Sequence, residues 1–486
     1  MDYKKEIANL AAQAAGVPAE ELEGFLEIPP QPEMGDYALP CFKLAKIMRK
    51  PPQAISAQLA ADIEKPTFIS RIESAGGYLN FYIERLSRAR SVLECIAEQG
   101  ARYGGSDEGA NKTICIDYSS INIAKKCHIG HLTTTALGHS LYRLYNFLGY
   151  KCVGINHLGD WGTQFGKLIC AYKLWGSRQE VERAGIDELV KLYVRFNQEA
   201  DQALEDEARA WFKKIEDDDQ EAVEIFTWFK EITLRDVARI YSLLGITFDS
   251  YAGESFYKDK WQAVVAELEQ KGLLEESEGA QVVKLDDYSM PPCIIIKKDG
   301  ASLYSTRDIA AAIYRKQEYD FYKCLYVVAY QQTLHFKQVF KVLELMGRPW
   351  AKDLVHVPFG MVSFEGQTLS TRKGQVVYLE EFLNKAINKA LALINEKNPS
   401  LENKEQIARQ VGVGAVIFYD LYSSRIKDVD FWWDRALNFD GETGPYVQYT
   451  HVRCTSVLAK ANLSESQALA PVNADFSALE NDEAGS

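Results

Sequence analysis

The stretch TICIDYSSINIAKKCHIGHLTTTALGHSLYRLYNFLGYKCVGINHLGDWG, residues 113–162, decides the fold. TICIDY is a short apolar run of strand length. After a polar loop, Ile129, Leu132, Ala136, Leu137, Leu141, Leu144 and Leu148 recur at the three-and-four spacing of a helix buried along one side. KCVGINHLGDWG then reads as a second strand running into glycines. Strand, helix and strand at this spacing form a βαβ unit, which predicts a parallel sheet covered by helices.

Working outward, a second half of the same kind arrives more than 100 residues later. PPCIIIKKDGASLYS (291–305) returns to strand period with Asp299-Gly300 as a hairpin turn. A helix, the strand CLYVVAY, the helix TLHFKQVFKVLELMG and the strand VHVPFGMVS follow. Between the halves, residues 176–290 read as a helical and acidic insertion. Ile186, Leu189, Val190 and Tyr193 form one stripe; Leu204, Ala208, Trp211, Phe212 and Ile215 form another. Residues 1–100 read as a small α+β domain closed by the Gly- and charge-rich linker EQGARYGGSDEGANK. The predicted organisation is α/β: an N-terminal domain 1–100, a split Rossmann-like domain 110–375 and a helical region 376–486 that fades into an acidic tail.

At 486 residues the chain exceeds a single core. Lys plus Arg number 55 against 68 Asp plus Glu, a formal charge of -13, so a nucleic-acid partner must meet a local basic patch on a repulsive body. Nine cysteines form no C-x-x-C pair and read as free thiols of a reducing compartment. The N-terminal residues lack signal or transit character, and no apolar run approaches the roughly 20 residues of a membrane span. These observations predict a cytoplasmic protein with no membrane partner.

His128 and His131 stand where the loop after the first strand becomes a helix. They admit three readings. Either imidazole could cap or pack. A metal would need further ligands, and an i, i+3 His pair is a thin start for such a set. A nucleotide fits the position best, because helix N-termini favour phosphate and Gly130 removes a side chain where a base or ribose comes close. Both rings could then donate to phosphate oxygens as charge grows.

H-x-G-H after a buried strand, opening a helix in a split βα sheet, resembles the HIGH signature of class I aminoacyl-tRNA synthetases. SSINIAKKCHIGHL, NHLGDWGTQFGKL, FDSYAGES, LYSTRDIAAAIYR, QQTLHFKQVF, LSTRKGQVVYL and NFDGETGPYVQYTHVR occur in the order and spacing of the arginyl-tRNA synthetases, and the likeness covers nearly the whole chain. The resemblance implies that L-arginine is activated with ATP, aided by Mg²⁺, and passed to the terminal adenosine of tRNA(Arg), with bound tRNA needed even for activation. It implies catalytic roles for His128, His131 and Lys125. ATP contacts fall on His128, Gly130, His131, His335, Met361, Val362 and Ser370. Arginine contacts fall on Asp117, Ser120, Asn122, His131, Tyr304, Asp308 and Gln332, with Gln331 as the neighbouring alternative to the last; no protein metal site is implied. It also implies a tRNA-contacting N-terminal domain and a monomer.

Two departures stand out. Ile121 occupies a position usually held by proline, so the loop is expected to be more mobile when empty. The KMSKS-like loop reads Thr368-Leu369-Ser370-Thr371-Arg372, without the usual lysines. Lys125 therefore carries the phosphate-binding charge by resemblance, with Arg372 and Lys373 as further contacts. The family's tRNA-gripping bundle extends beyond the end of this chain, so a shortened protein that keeps its ATP and arginine sites but binds tRNA poorly is expected. Rival readings are a nucleotidyl-transfer relative with another carboxylate substrate, a non-catalytic RNA-binding relative, and a zinc hydrolase. Tyr304 and Asp308, four apart on one predicted helix, argue for a guanidinium. They are expected to share one cleft with His128 and His131.

Overall fold

The first strand of the quoted stretch ends on Asp117, and that end positions the site. The computed structural model describes residues 2–298, 300, 302–368, 377–438 and 440–463. Asp299, Ser370, Arg372 and Lys373 lie outside the described residues. The chain divides into two compact units: residues 1–104 with 454–486, and residues 105–453.

In the first unit, β1 (Tyr37–Pro40), β2 (Ile69–Ala75) and β3 (Tyr78–Ile83) form an antiparallel sheet in the order β1-β3-β2. Helices Tyr3–Ala15 and Pro52–Asp62 bury Ile7, Ala11, Ile55 and Leu59 against Leu39, Leu79 and Phe81. The alternation of SAGGYLNFYI marks β3. Its neighbour β2 is mostly exposed and has no apolar alternation for a reader to find.

In the second unit, β4 (Thr113–Asp117) and β5 (Lys151–Ile155) are joined by the signature helix Leu132–Phe147. That helix packs through Leu132, Ala136 and three buried threonines, Thr133 to Thr135, whereas Leu144, expected on the buried stripe, is 58% exposed. The insertion is helical from Thr163 to Leu244. It then turns to strands β6 (Glu275–Ser277), β7 (Ala280–Val283) and β8 (Cys293–Ile296), a small antiparallel sheet the periodicity only half announced. Helix Tyr304–Tyr319 leads to β9 (Lys323–Ala329), and helix Thr333–Leu345 joins β9 to β10 (Leu354–Phe359). VHVPFGMVS is two strands, because the chain breaks at Gly360, packed against the backbone of Lys427, before β11 (Val362–Phe364). β11 pairs with β12 (Gln367–Thr368) and with β13 (Val429–Phe431).

The main sheet runs β10-β9-β4-β5, every pair parallel. From β4 the chain moves outward to β5, then returns to the other side of β4 for β9. The strand order therefore reverses between β4 and β9, and in such sheets ligands bind beyond the carboxyl ends at that reversal. Asp117 ends β4 there, and Ala329 ends β9. Among the described residues no helix is long and apolar enough to cross a membrane.

Candidate active site

The loop leaving β4 is held in an unfavourable backbone form. Ser119, Ser120 and Ala124 adopt positive φ of 71°, 47° and 59°, a region non-glycine residues enter only when neighbours over-determine it. The ties are specific. Ser119 N donates to Thr134 Oγ1 (3.1 Å), which itself donates to Val327 O of β9 (2.7 Å). Ser119 Oγ meets Tyr241 Oη (2.8 Å) and Thr135 Oγ1 (2.9 Å), and Ala124 N donates to Thr233 Oγ1 (3.0 Å). Ile121 is buried in the core, its carbonyl accepts from Gly159 N (2.8 Å), and Ile123 N donates back to Gly159 O (3.2 Å). Burial of Ile121 thus anchors the loop that a proline would otherwise stiffen.

His128 and His131 cap one another. His128 Nδ1 accepts from Gly130 N (3.1 Å), and His131 Nδ1 accepts from His128 N (3.2 Å), a reciprocal box made of two imidazoles 4.1 Å apart. His128 Nδ1, accepting from Gly130 N, leaves Nε2–H as the free donor of that ring, whereas His131 Nδ1 stands 3.2 Å from both the N and the O of His128. Burial and then Lys125 lower the pKa of His128. Burial, then His128, push His131 down to about 4 despite its backbone contact. At neutral pH both rings are uncharged. Gly130 also makes room for the imidazole: a Cβ there would stand 2.9 Å from His128 Cε1 and Nδ1.

The base of the KMSKS-like loop is fastened to the same place. Ile129 N donates to Val377 O (2.9 Å), Leu379 N donates to Cys127 O (3.0 Å), and His128 and Tyr378 form an antiparallel bridge. A cavity of about 310 Å³ takes in Asn122, Lys125, His128, His131, Tyr193 and Tyr378. Lys125 is exposed there.

Tyr304 and Asp308 share a helix face but do not line that cavity. They form a second cluster with His335 and His157. Asp308 Oδ2 lies 2.6 Å from His335 Nε2, its Oδ1 lies 3.9 Å from His157 Nε2, and the Tyr304 and His335 rings are 4.6 Å apart. Burial would raise the Asp308 carboxyl, but the His335 hydrogen bond and the charges of His335, His157 and Arg315 outweigh it and hold it low. Arg307 turns away from its neighbour Asp308 to pair with Glu254 (3.0 Å). Gln331 and Gln332 are both exposed at the end of β9, so the choice between them stays open.

A polar chain joins the two clusters. His157 Nδ1 is 3.4 Å from Arg315 Nη2, and Arg315 Nη2 donates to Asp117 Oδ2 (2.8 Å). Asp117 Oδ1 accepts from Ser120 Oγ (2.9 Å), while Thr135 Oγ1 bridges Ser119 and His131 O. Asp117 thus holds an internal guanidinium on one oxygen and a serine on the other. Arg315 and Asp117 are almost fully buried (1% and 7% exposed side chains). Arg315, His157, Thr134 and Thr135 escaped the sequence reading; NHLGDWG and IYR held the first two in view without revealing their partners.

The expected ATP contacts divide. His335 sits on Asp308. Val362 is a core residue, and Met361 commits its N to Asp428 Oδ1 (2.7 Å) and its O to Val429 N (2.8 Å), leaving only an exposed thioether at the carboxyl end of β10. Among the described residues no three His, Cys, Asp or Glu side chains gather to hold a metal.

Residues 92–433 match the family described as tRNA synthetases class I (R), catalytic domain, and residues 1–83 match the arginyl tRNA synthetase N terminal domain. An arginine–tRNA ligase of Alkaliphilus metalliredigens is 53% identical over 466 residues, 95% of this chain and 82% of its own; one of Clostridioides difficile is 55% identical at the same coverage. The Thermus thermophilus arginyl-tRNA synthetase structure superposes with a TM-score of 0.75 at 27% identity, covering 94% of this chain and 82% of that one. A Plasmodium falciparum arginyl-tRNA synthetase shares the fold, with a TM-score of 0.77 at 20% identity.

Proposed function

Because this chain belongs to the class I arginyl-tRNA synthetase family, we propose a division of labour among its side chains for work as an arginine–tRNA ligase. The enzyme takes ATP, L-arginine and tRNA(Arg). In the first step the arginine carboxylate attacks the α-phosphorus: an O–P bond forms, the bond to the β-phosphate oxygen breaks, and pyrophosphate leaves. In the second, a hydroxyl of the terminal ribose attacks the acyl carbon and AMP leaves.

Asp308 accepts the guanidinium, with Tyr304 and Gln332 as walls. A buried carboxylate facing a planar cation favours a forked pair and rejects neutral amino acids strongly. Ser120 and Asn122 hold the amino and carboxyl end. His128 and His131 act as uncharged Nε2–H donors to the α-phosphate, preorganised by their mutual capping, and Lys125 meets the charge that gathers on pyrophosphate. Asp117 and Arg315 support the loop that carries Ser120. Mg²⁺ travels with the nucleotide's phosphates, the usual mode for this ion, and we assign it no step through protein ligands.

The observation that carries this reading is the reciprocal capping of His128 and His131, which sets two imidazoles beside Lys125 at the sheet's reversal point. Arginine-dependent, tRNA-stimulated ATP–pyrophosphate exchange tests it. His131→Ala or Lys125→Ala should lower exchange by about two orders of magnitude, the scale of losing a transition-state donor. Unchanged exchange in either variant would refute that residue's role, and exchange driven by cysteine or pantoate instead of arginine would favour the rival substrate class.

A further inference from the structure

His335 sits in the first turn of helix Thr333–Leu345, 9% exposed, with its hydrogen-bonding edge and one flank already committed. The edge, Nε2, is on Asp308 Oδ2 at 2.6 Å. The flank is against Tyr304 at 4.6 Å, and Phe336, 5.1 Å away, stacks in turn on His356 at 4.8 Å. An imidazole so placed cannot also hydrogen-bond a base through the same nitrogen.

Forked recognition of a guanidinium requires a carboxylate in a fixed plane. The terminal torsion of an aspartate is broad, so that plane drifts unless one oxygen is pinned. His335 supplies the pin on Oδ2. Among the described residues Oδ1 has no hydrogen bond; the nearest donor, His157 Nε2, is 3.9 Å away. Oδ1 is therefore the oxygen left for a ligand. The same imidazole packs on Tyr304, four residues before Asp308 on their helix, so one side chain sets two walls of the subsite.

We propose that His335 is a positioning residue of the arginine subsite: its Nε2–H holds Asp308 so that Oδ1 faces the guanidinium, while its ring holds Tyr304. This rests on the reading of Asp308 as the guanidinium's acceptor. The test uses the full chain with tRNA(Arg) in pyrophosphate exchange, measuring Michaelis constants for arginine and ATP, kcat, and thermal melting. His335→Phe keeps a ring and loses the donor; His335→Gln keeps a donor near the Nε2 position and loses the ring.

His335→Phe should raise the arginine constant about ten- to hundred-fold, the weight of a hydrogen bond to a charged group, with the ATP constant within about twofold. His335→Gln should restore the arginine constant to within about threefold of the parent. A rise in the ATP constant alone, an unchanged arginine constant, or equal losses in both variants with a lowered melting temperature would overturn the proposal. Asp308→Ala separates the two levels: if it spoils arginine binding and His335→Phe does not, only the positioning role falls. If Asp308→Ala leaves the arginine constant untouched, the subsite reading falls as well.

Discussion

Gly130→Ala offers a sharp separation of two explanations for one glycine. The backbone at 130 does not have the positive φ that would forbid a side chain. The obstacle is a neighbour: the new Cβ would lie 2.9 Å from His128 Cε1 and Nδ1. To regain ordinary van der Waals separation the ring must withdraw by about 0.5 to 1 Å. That shift also stretches the bond from Gly130 N to His128 Nδ1, 3.1 Å in the undisturbed pair. Misplacing a reacting group by about 1 Å costs on the order of a hundredfold in rate, about 2.7 kcal/mol of barrier. Stability should barely change, because alanine is the better helix former by up to about 1 kcal/mol. Steady-state pyrophosphate exchange with a parallel thermal melt measures both. The expected result is kcat down about a hundredfold with the ATP Michaelis constant nearly unmoved. An intact kcat with a raised ATP constant would show that the glycine makes room for the nucleotide, and would refute the reasoning.

Arg315→Met removes one partner of a buried ion pair and leaves Asp117 uncompensated, so it should cost about 3–5 kcal/mol in denaturant unfolding; a loss under about 1 kcal/mol would show that the pair is not buried as described. Asp420 donates nothing and accepts from Thr133 Oγ1 (2.6 Å), with its Oδ2 buried and unpartnered. Burial pushes its carboxyl up to about 6 from 3.8, partly countered by Thr133. A raised folded value means the native state holds the extra proton, so the penalty is absent below pH 3.8, grows between 3.8 and 6, and is complete above 6. Asp420→Asn should therefore stabilise the protein at pH 7.5 by up to about 3 kcal/mol and lose that advantage near pH 4, read from melts at the two values; no gain at pH 7.5 would contradict it.

The βαβ unit was legible because its helix repeats apolar residues every three or four positions and its strands are continuous apolar runs. That a second such unit follows a long insertion was legible too, whereas the reversal of strand order, and with it the place of the site, came from the pairing of β9 with β4. The pairing of Tyr304 with Asp308 was legible from a spacing of four. What escaped is what depends on a facing element. Arg315 reads as one more cation on a helix, and only β4 turns it into the counter-charge of Asp117. Thr133, Thr134 and Thr135 read as weak helix formers, yet each reaches a different segment: Asp420, Val327 or Ser119. His335 was expected on the nucleotide although its motif also carries Gln332, an expected arginine contact, and local sequence cannot say that its ring meets Asp308. The common cleft expected for Asp308 and His131 is two clusters tied through His157, Arg315 and Asp117.

Whether those clusters grip one reacting molecule is decided most directly by a crystal structure of the protein with arginyl-sulfamoyl-adenosine, a stable mimic of arginyl-adenylate. The expected result has the guanidinium forked on Asp308 at about 2.7–2.9 Å and the sulfamoyl group within reach of the Nε2 atoms of His128 and His131. A ligand lying wholly in the His128–Tyr193 cavity, its guanidinium far from Asp308, would contradict the account.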